Sequence, residues 1–195
     1  MPAATVPKTP LAIGAGYLYY SALGTSLPTN TVVGSVFTDA WPGGWNLFGV
    51  TKNGHEFDYS ITVDETDAAE YFDPLQYATT ARTSGMKFEL QLISITLLSK
   101  ALNGGTATVV SGSGTTQLNK FTPPAPGSEV RIQIGWESTD NTERLVMEQA
   151  FQIGSLAISR NKGASNNATL PLEFRGEVAA SGFPFQYFTA GTARA

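Results

Sequence analysis

The acidic residues of this sequence are gathered in one region. Seven of the sixteen Asp and Glu residues fall within residues 56–73, and no Lys or Arg stands among them. Carboxylates at this density could supply the acid and base pair of a glycosidase, ligate a calcium ion, or give an assembly interface its charge. They could equally form a solvated acidic loop. The seven residues are Glu56, Asp58, Asp64, Glu65, Asp67, Glu70 and Asp73.

A calcium site would draw on the oxygen atoms of residues 64–70, which read DETDAAE. This stretch lacks the D-x-[DN]-x-[DN]-G spacing that makes a calcium-binding loop recognisable. The calcium hypothesis therefore stays open beside the solvated loop and the assembly surface. We predict no metal site and no cofactor from the pattern itself.

Other side chains that could carry catalysis are scarce. The single histidine, His55, lies in the turn-like stretch KNGHEF beside Gly54, where a solvated side chain is expected. The sequence has no Cys, no G-x-S-x-G serine elbow, no phosphate-binding G-x-x-x-x-G-K-[ST] loop and no G-x-G-x-x-G dinucleotide motif. We therefore predict that the protein is not an enzyme.

Charge and composition narrow the class of partner. Twelve bases against sixteen acids give a net charge of −4, which lacks the basic excess of a protein that holds DNA by its phosphates. Charged residues make up 14% of the chain, below the roughly 25% that is usual in soluble domains, so extensive contacts with partners are expected. No stretch approaches the ~18 consecutive apolar residues of a membrane span, and no membrane partner is predicted.

The elements that would position these residues are mostly strands. Residues 1–16 contain three prolines and no apolar period, which predicts an N-terminal arm, and residues 17–195 predict a single domain. Apolar and polar residues alternate over residues 57–64 and again over residues 86–92, which predicts two strands that pair antiparallel. The residues between them, at about 64–85, predict a long loop.

One helix and several later strands complete the pattern. Ser94 can cap a helix that places Ile95, Leu98 and Leu102 on one face, and Asn103 with the following glycine supplies a stop. Beyond it, alternation returns repeatedly up to an aromatic C-terminal stretch. The sequence thus predicts an all-β fold, a β-sandwich or partly open β-barrel, with one short flanking α-helix.

Several segments, taken in order, resemble the major tail tube proteins of long-tailed bacteriophages. GYLYYSALGTSLPTN (16–30) is similar to that family's opening strand and loop, and WNLFGVTKNG (45–54) to the Trp- and Gly-containing turn that follows. After an acidic strand, MKFELQLISITLLSKALNGG (86–105) resembles the family's strand-plus-helix unit, and LEFRGEVAASGFPFQYF (172–188) its late strands. The likeness is one of pattern and order over most of the chain.

The resemblance implies a tail-tube-like β-sandwich that forms homo-hexameric rings, stacked into a virus tail tube whose lumen conducts the genome into the host. It places the protein in the virion tail, and in the host cytoplasm during assembly. Its partners would be further copies of itself and the tape measure, tail terminator and distal tail proteins. The acidic residues 56–73 would then line the lumen or form the contact between rings, because an acidic wall does not hold passing phosphates.

Two other functions fit the same pattern. One is the tube protein of a contractile injection or type VI secretion system, which shares the tail tube fold. The other is a secreted carbohydrate-binding or glycosidase-like β-sandwich, in which Trp41 and Trp45 would form a sugar platform beside a carboxylate pair. The weakly apolar run after Lys8 is broken by glycines and does not predict a signal peptide, which disfavours the secreted alternative.

Overall fold

The computed structural model describes residues 16–66, 76–91, 93–158 and 169–191. Over these residues the chain is all-β with one α-helix, which confirms the predicted fold class. The helix α1 spans Ile95–Ala101, and Gly114–Thr116 form a 3-10 turn. The strands are β1 (Gly16–Ala22), β2 (Val32–Val33), β3 (Val36–Phe37), β4 (Asn46–Leu47), β5 (Thr51–Thr66), β6 (Gln76–Leu90), β7 (Thr106–Ser111), β8 (Leu118–Thr122), β9 (Ile132–Ser138), β10 (Glu143–Gln152), β11 (Leu170–Gly176) and β12 (Gln186–Thr189).

One large antiparallel sheet forms the body, with its strands in the order β4-β1-β9-β10-β11-β6-β5 and with β12 paired to β10. The strands at the two ends of this order are consecutive along the chain. The amide of Phe48 donates to the carbonyl of Leu18 at 2.9 Å, and the amide of Gln91 donates to the carbonyl of Val50 at 2.9 Å. Residues 46–51 therefore join both edges, and the sheet curls into a partly open barrel.

Aromatic rings fill the barrel beside this closure. The buried ring of Phe48 lies 5.0 Å from that of Phe88 and 6.1 Å from that of Phe174, measured between centroids. Leu97 and Ala101 of α1 are buried in the same cluster. The short helix thus flanks the sheet and contributes to its core, as the sequence predicted.

Both ends of α1 match their predicted signals. The hydroxyl of Ser94 accepts a hydrogen bond from the amide of Leu97 at 3.1 Å, and Asn103 ends the helix in the left-handed region with φ 54°. The fully buried residues of the helix are Leu97 and Ala101, and of the predicted face Leu98 packs against the same core. The residues of the predicted face, all of them only partly buried, are Ile95, Leu98 and Leu102.

Strand β9 is buried along its whole length and on both faces. Its inward face, with Ile132 and Trp136, follows the predicted alternation. Its outward face is contacted by Trp41, which belongs to residues 23–45, a segment that we call the covering layer. The Trp41 indole lies so close to Gly135 that a Cβ there would stand 2.1 Å from the ring. Gly135 is therefore required by this covering layer.

The prediction of a long loop at residues 64–85 was wrong over most of that range. Strand β5 continues to Thr66 and β6 already begins at Gln76, so the two form one long hairpin. Their antiparallel pairing, which the alternation predicted, is confirmed. Residues 67–75 lie outside the described residues, as does the predicted N-terminal arm up to residue 15. Gly16, the last residue assigned to that arm, is the first residue of β1.

Candidate functional site

The outer part of the β5–β6 hairpin extends beyond the body of the sheet. We call residues 59–66 together with residues 76–83 the hairpin arm, and every one of these residues is exposed. Strand β6 pairs with β11 only as far as Gly85, and β5 pairs with β6 alone among the described residues. A two-stranded ribbon of this kind is at best marginally stable in water, so the arm is suited to being covered by a partner.

The hairpin arm has one apolar and one polar face. Side chains alternate along β5 as predicted. Tyr59 still packs against Phe185 with ring centroids 5.5 Å apart, but beyond Tyr59 the apolar face points into solvent instead of into the core. The opposite face, which includes Thr62, carries hydroxyl and carboxylate groups. The apolar residues and their exposed fractions are Tyr59 (42%), Ile61 (51%), Val63 (49%) and Tyr77 (60%).

Four acids of the predicted cluster lie in the part of the chain that the structure describes, and these four are spread along the hairpin. Glu56 and Asp58 lie near its root, where Asp58 is ion-paired with Arg175. Asp64 and Glu65 lie in the hairpin arm, exposed and on opposite faces. The three residues of the cluster that fall outside the described residues are Asp67, Glu70 and Asp73.

An ion pair across a glycine fixes the root of the hairpin. Asp58, Gly85 and Arg175 stand side by side on β5, β6 and β11, and Arg175 reaches over the glycine to donate to Asp58. A Cβ at Gly85 would stand 2.5 Å from Arg175 Nη1 and 2.8 Å from Asp58 Oδ1. Hydrogen bonding to Asp58 raises the pKa of Arg175 above its ordinary value. This pair ties the exposed hairpin to the body.

A second charged group is buried beneath residues 23–45. Arg144 is 1% exposed, and its guanidinium donates to Glu137 Oε1 at 2.8 Å, to Asp39 Oδ1 at 2.9 Å and to the Asp39 carbonyl at 2.6 Å. Burial alone would raise the pKa of Asp39, but attraction to Arg144 and hydrogen bonds outweigh it and leave the pKa lowered. Sequence reasoning missed this network, whose partners come from distant parts of the chain.

The two tryptophans of the proposed sugar platform belong to this covering layer. Trp41 stacks on Tyr19 with ring centroids 4.5 Å apart and donates from Nε1 to Glu137 at 2.9 Å. Trp45 packs against Trp41 and donates from Nε1 to the carbonyl of Ser26. The carboxylates nearest these rings already accept from Arg144. The aromatic rings and acids therefore hold residues 23–45 on the sheet, and this arrangement gives no independent support to sugar hydrolysis.

His55 was expected to be a solvated turn residue, and that was wrong. It lies within β5 and packs against Trp136, with ring centroids 4.9 Å apart. Burial lowers its pKa, which keeps the imidazole neutral at pH 7. Gly54 indicated a turn, but strand β5 begins before it. The glycine is accommodated with φ 79° at the point where the register between β5 and β6 shifts.

The described residues contain no group of three or more His, Asp or Glu side chains placed to hold a metal ion. Two of the acids considered for calcium, Asp67 and Glu70, lie outside those residues, so the calcium site at residues 64–70 stays a hypothesis. Among the described helical segments, none has the length and apolarity needed to cross a membrane.

Comparisons with known proteins add no family to this description. No family model matches the chain, and no curated protein matches it. The function must therefore be argued from the geometry of the hairpin arm, the sheet edges and the distribution of charge.

Proposed function

We propose that this protein is a structural subunit that polymerises into the tail tube of a long-tailed bacteriophage, as stacked hexameric rings whose lumen conducts the genome. The single observation that carries the proposal is the hairpin arm. It extends from the body as a two-stranded ribbon, and one of its faces exposes Tyr59, Ile61, Val63 and Tyr77. The hexameric number and the viral setting come from the family resemblance.

Covering the apolar face would be energetically favourable. Complete burial of a Val or Ile side chain is worth about 1.5–3 kcal/mol, and Ile61 and Val63 each still expose about half of their surface. A partner that covered both would therefore gain roughly half of that amount from each. Apolar residues placed side by side on an otherwise solvated ribbon are typical of an interaction surface.

The outer edge of β5 offers a second kind of contact. Over the described residues this edge carries no strand, because β5 pairs with β6 on its other side. A long unpaired edge presents backbone donors and acceptors that a strand from another copy can complete. Contacts between two different surfaces of identical subunits generate rings or filaments, and a tube combines both.

The charge of the chain is compatible with DNA moving through a lumen. The net charge is −4, and the arm exposes Asp64 and Glu65. A surface without a basic excess does not displace counterions from DNA and so does not retain it. Among the described residues predicted for the lumen or the interface, Asp64 and Glu65 lie in the hairpin arm, whereas Asp58 is ion-paired with Arg175.

The proposal is tested by imaging the purified protein and two matched variants by negative-stain electron microscopy, with light scattering to measure mass. The wild-type protein should form stacked rings or tubes. Ile61→Glu places a charge on the apolar face, opposite Arg82, which can pair with it and preserve the hairpin. Thr62→Glu adds the same charge on the polar face and serves as the control.

We expect Ile61→Glu to abolish or shorten the tubes and Thr62→Glu to leave them intact. Circular dichroism should show that both variants keep their strands. Correctly folded wild-type protein that stays monomeric at high concentration would overturn the proposal. Equal assembly by the two variants would show that the apolar face is not the contact surface.

A further inference from the structure

The sequence contains two Asn-Gly dipeptides, Asn53-Gly54 within β5 and Asn103-Gly104 just after α1. Asparagine before glycine is prone to deamidation, because glycine has no side chain to hinder attack by its own backbone nitrogen on the asparagine side chain. The two dipeptides share this local chemistry. Any difference between their reactivities in the folded protein must therefore come from the structure around them.

Hydrogen bonds hold both reacting groups of the second dipeptide in place. Asn103 donates from Nδ2 to the carbonyl of Gln152 at 2.7 Å and accepts at Oδ1 from the amide of Gln152 at 2.8 Å. The amide of Gly104, whose nitrogen would attack, donates to the carbonyl of Ser99 at 2.6 Å. All three hydrogen bonds would have to break before the reaction could start.

The first dipeptide lacks these restraints. The side chain of Asn53 is exposed and forms no hydrogen bond with any other described residue. The register between β5 and β6 shifts between Thr51 and His55, so residues 52–54 have no residue of β6 paired opposite them. Gly54 also has a backbone φ of 79°, outside ordinary strand geometry. The Asn53 side chain is therefore free to meet the Gly54 nitrogen while the protein stays folded.

We propose that Asn53 is a site of spontaneous deamidation in the folded protein and that Asn103 is protected from the same reaction. The Gly54 nitrogen bonds to the side-chain carbonyl carbon of Asn53, and the amide nitrogen leaves as ammonia together with the proton from Gly54. A succinimide ring remains. Water then opens the ring at one of its two carbonyls, which gives aspartate or isoaspartate. The reaction needs only water, and no oxidant, reductant or cofactor takes part.

The product would alter a groove of about 440 Å³ that Asn53 lines. Three carboxylates already line this groove, those of Glu56, Glu89 and Glu173, and Lys87 is the one basic side chain among the described residues around it. Deamidation would add a fourth carboxylate. Isoaspartate would also lengthen the backbone of β5 by a methylene group near the root of the hairpin. The proposal does not depend on tube formation, because it concerns the chemistry of a single subunit.

The two dipeptides can be compared within one sample of the full chain, aged in mildly alkaline buffer either folded or unfolded in urea. Trypsin cuts after Lys52 and after Lys100, which places the two sites on separate peptides. Mass spectrometry then measures aspartate and isoaspartate at each site against an unaged sample. Circular dichroism verifies that the sample aged without urea keeps its strands.

We expect both sites to react at similar rates in urea, where the fold no longer distinguishes them. In the folded protein Asn53 should still react, whereas Asn103 should react roughly 10- to 1,000-fold more slowly than in urea. This range is the combined effect of three hydrogen bonds that each contribute a factor of about 2–10. Equal rates at the two sites in the folded protein would overturn the proposal, and so would an Asn53 that reacts in urea alone.

Two matched variants assign the reaction independently of the peptide map. Asn53→Gln cannot form the same succinimide ring, so aged folded protein should lose most of the isoaspartate that an isoaspartyl methyltransferase labels. Asn119→Gln makes the same change at an exposed asparagine that precedes lysine, and it should keep the wild-type amount. Equal labelling of the two variants would contradict the assignment to Asn53.

Discussion

Replacing Arg144 by methionine should destabilise the fold by about 3–5 kcal/mol, the usual cost of removing one partner from a buried ion pair. Methionine is an unbranched apolar side chain that offers no donor. It would leave the carboxylates of Asp39 and Glu137, whose side chains are 15% and 9% exposed, without the guanidinium that compensates them. The layer formed by residues 23–45 would lose its main electrostatic attachment to the sheet.

The magnitude follows from the contacts of the guanidinium. It donates to two carboxylates and to the Asp39 carbonyl over distances of 2.6–2.9 Å. Hydrogen bonds to charged groups contribute about 1.5–3 kcal/mol each, but these share one side chain and their energies do not add. Domains are typically stable by about 5–15 kcal/mol, so the variant should approach the threshold of folding.

The same network predicts the pH dependence. Because the pKa of Asp39 is lowered in the folded protein, the unfolded chain takes up that proton first as the pH falls. The contribution of Asp39 is therefore complete above its unfolded value of about 3.9 and is lost as the pH falls through the lower folded value. This contribution should disappear in Arg144→Met.

The assay is urea unfolding at pH 7, followed by circular dichroism. Arg131→Met is the matched control, because Arg131 forms an exposed ion pair with Glu177 whose loss should change stability little. Adding Asp39→Asn and Glu137→Gln to Arg144→Met should restore part of the stability by removing the orphaned charges. The reasoning is refuted if Arg144→Met and Arg131→Met lower the free energy of unfolding equally.

Three further predictions concern the hairpin. Gly85→Ala should lower the free energy of unfolding in urea by about 1–3 kcal/mol, because the added Cβ would separate Asp58 from Arg175. Gly43→Ala, with open space around it, should be nearly neutral, and equal effects of the two changes would contradict the role of this ion pair. Because burial lowers the pKa of His55, the free energy of unfolding should fall as the pH drops from about 6.5 toward that lower value. His55→Phe should remove this pH dependence, and a variant that keeps it would show that another group is responsible. Replacing Asp64 and Glu65 together by Lys should reduce infectivity or tube stacking in a phage complementation assay, whereas Asn and Gln at these positions should have smaller effects; normal titre with normal tails in the Lys variant would count against their role.

The sequence correctly predicted those parts of the fold in which one face of a strand or helix is buried. The alternation over residues 86–92 was readable because Met86, Phe88 and Leu90 point into the core. The capping hydroxyl of Ser94 was readable because helix starts use local chemistry. Local patterns and one-sided burial were therefore sufficient to predict the fold class.

The errors have physical causes. Residues 76–83 are strand without any buried face, so no hydrophobic period marks them and they resembled a loop. The seven residues of α1 are too few for periodicity to distinguish the face of Leu97 from that of Leu98. The Arg144 network joins residues separated by 105 positions. Its only local sign is an arginine directly before the apolar run of Leu145, Val146 and Met147.

The pairing of β1 with β9 also determines when this protein can fold on the ribosome. Ser21 of β1 hydrogen-bonds to Gln133 of β9, 112 positions later. At about 5–20 residues per second, synthesis needs roughly 6–22 seconds to cover that interval. During this time the aromatic first strand has only the two-residue strand β4 of its own chain paired with it, so we expect nascent subunits to need protection from aggregation until β9 has left the exit tunnel.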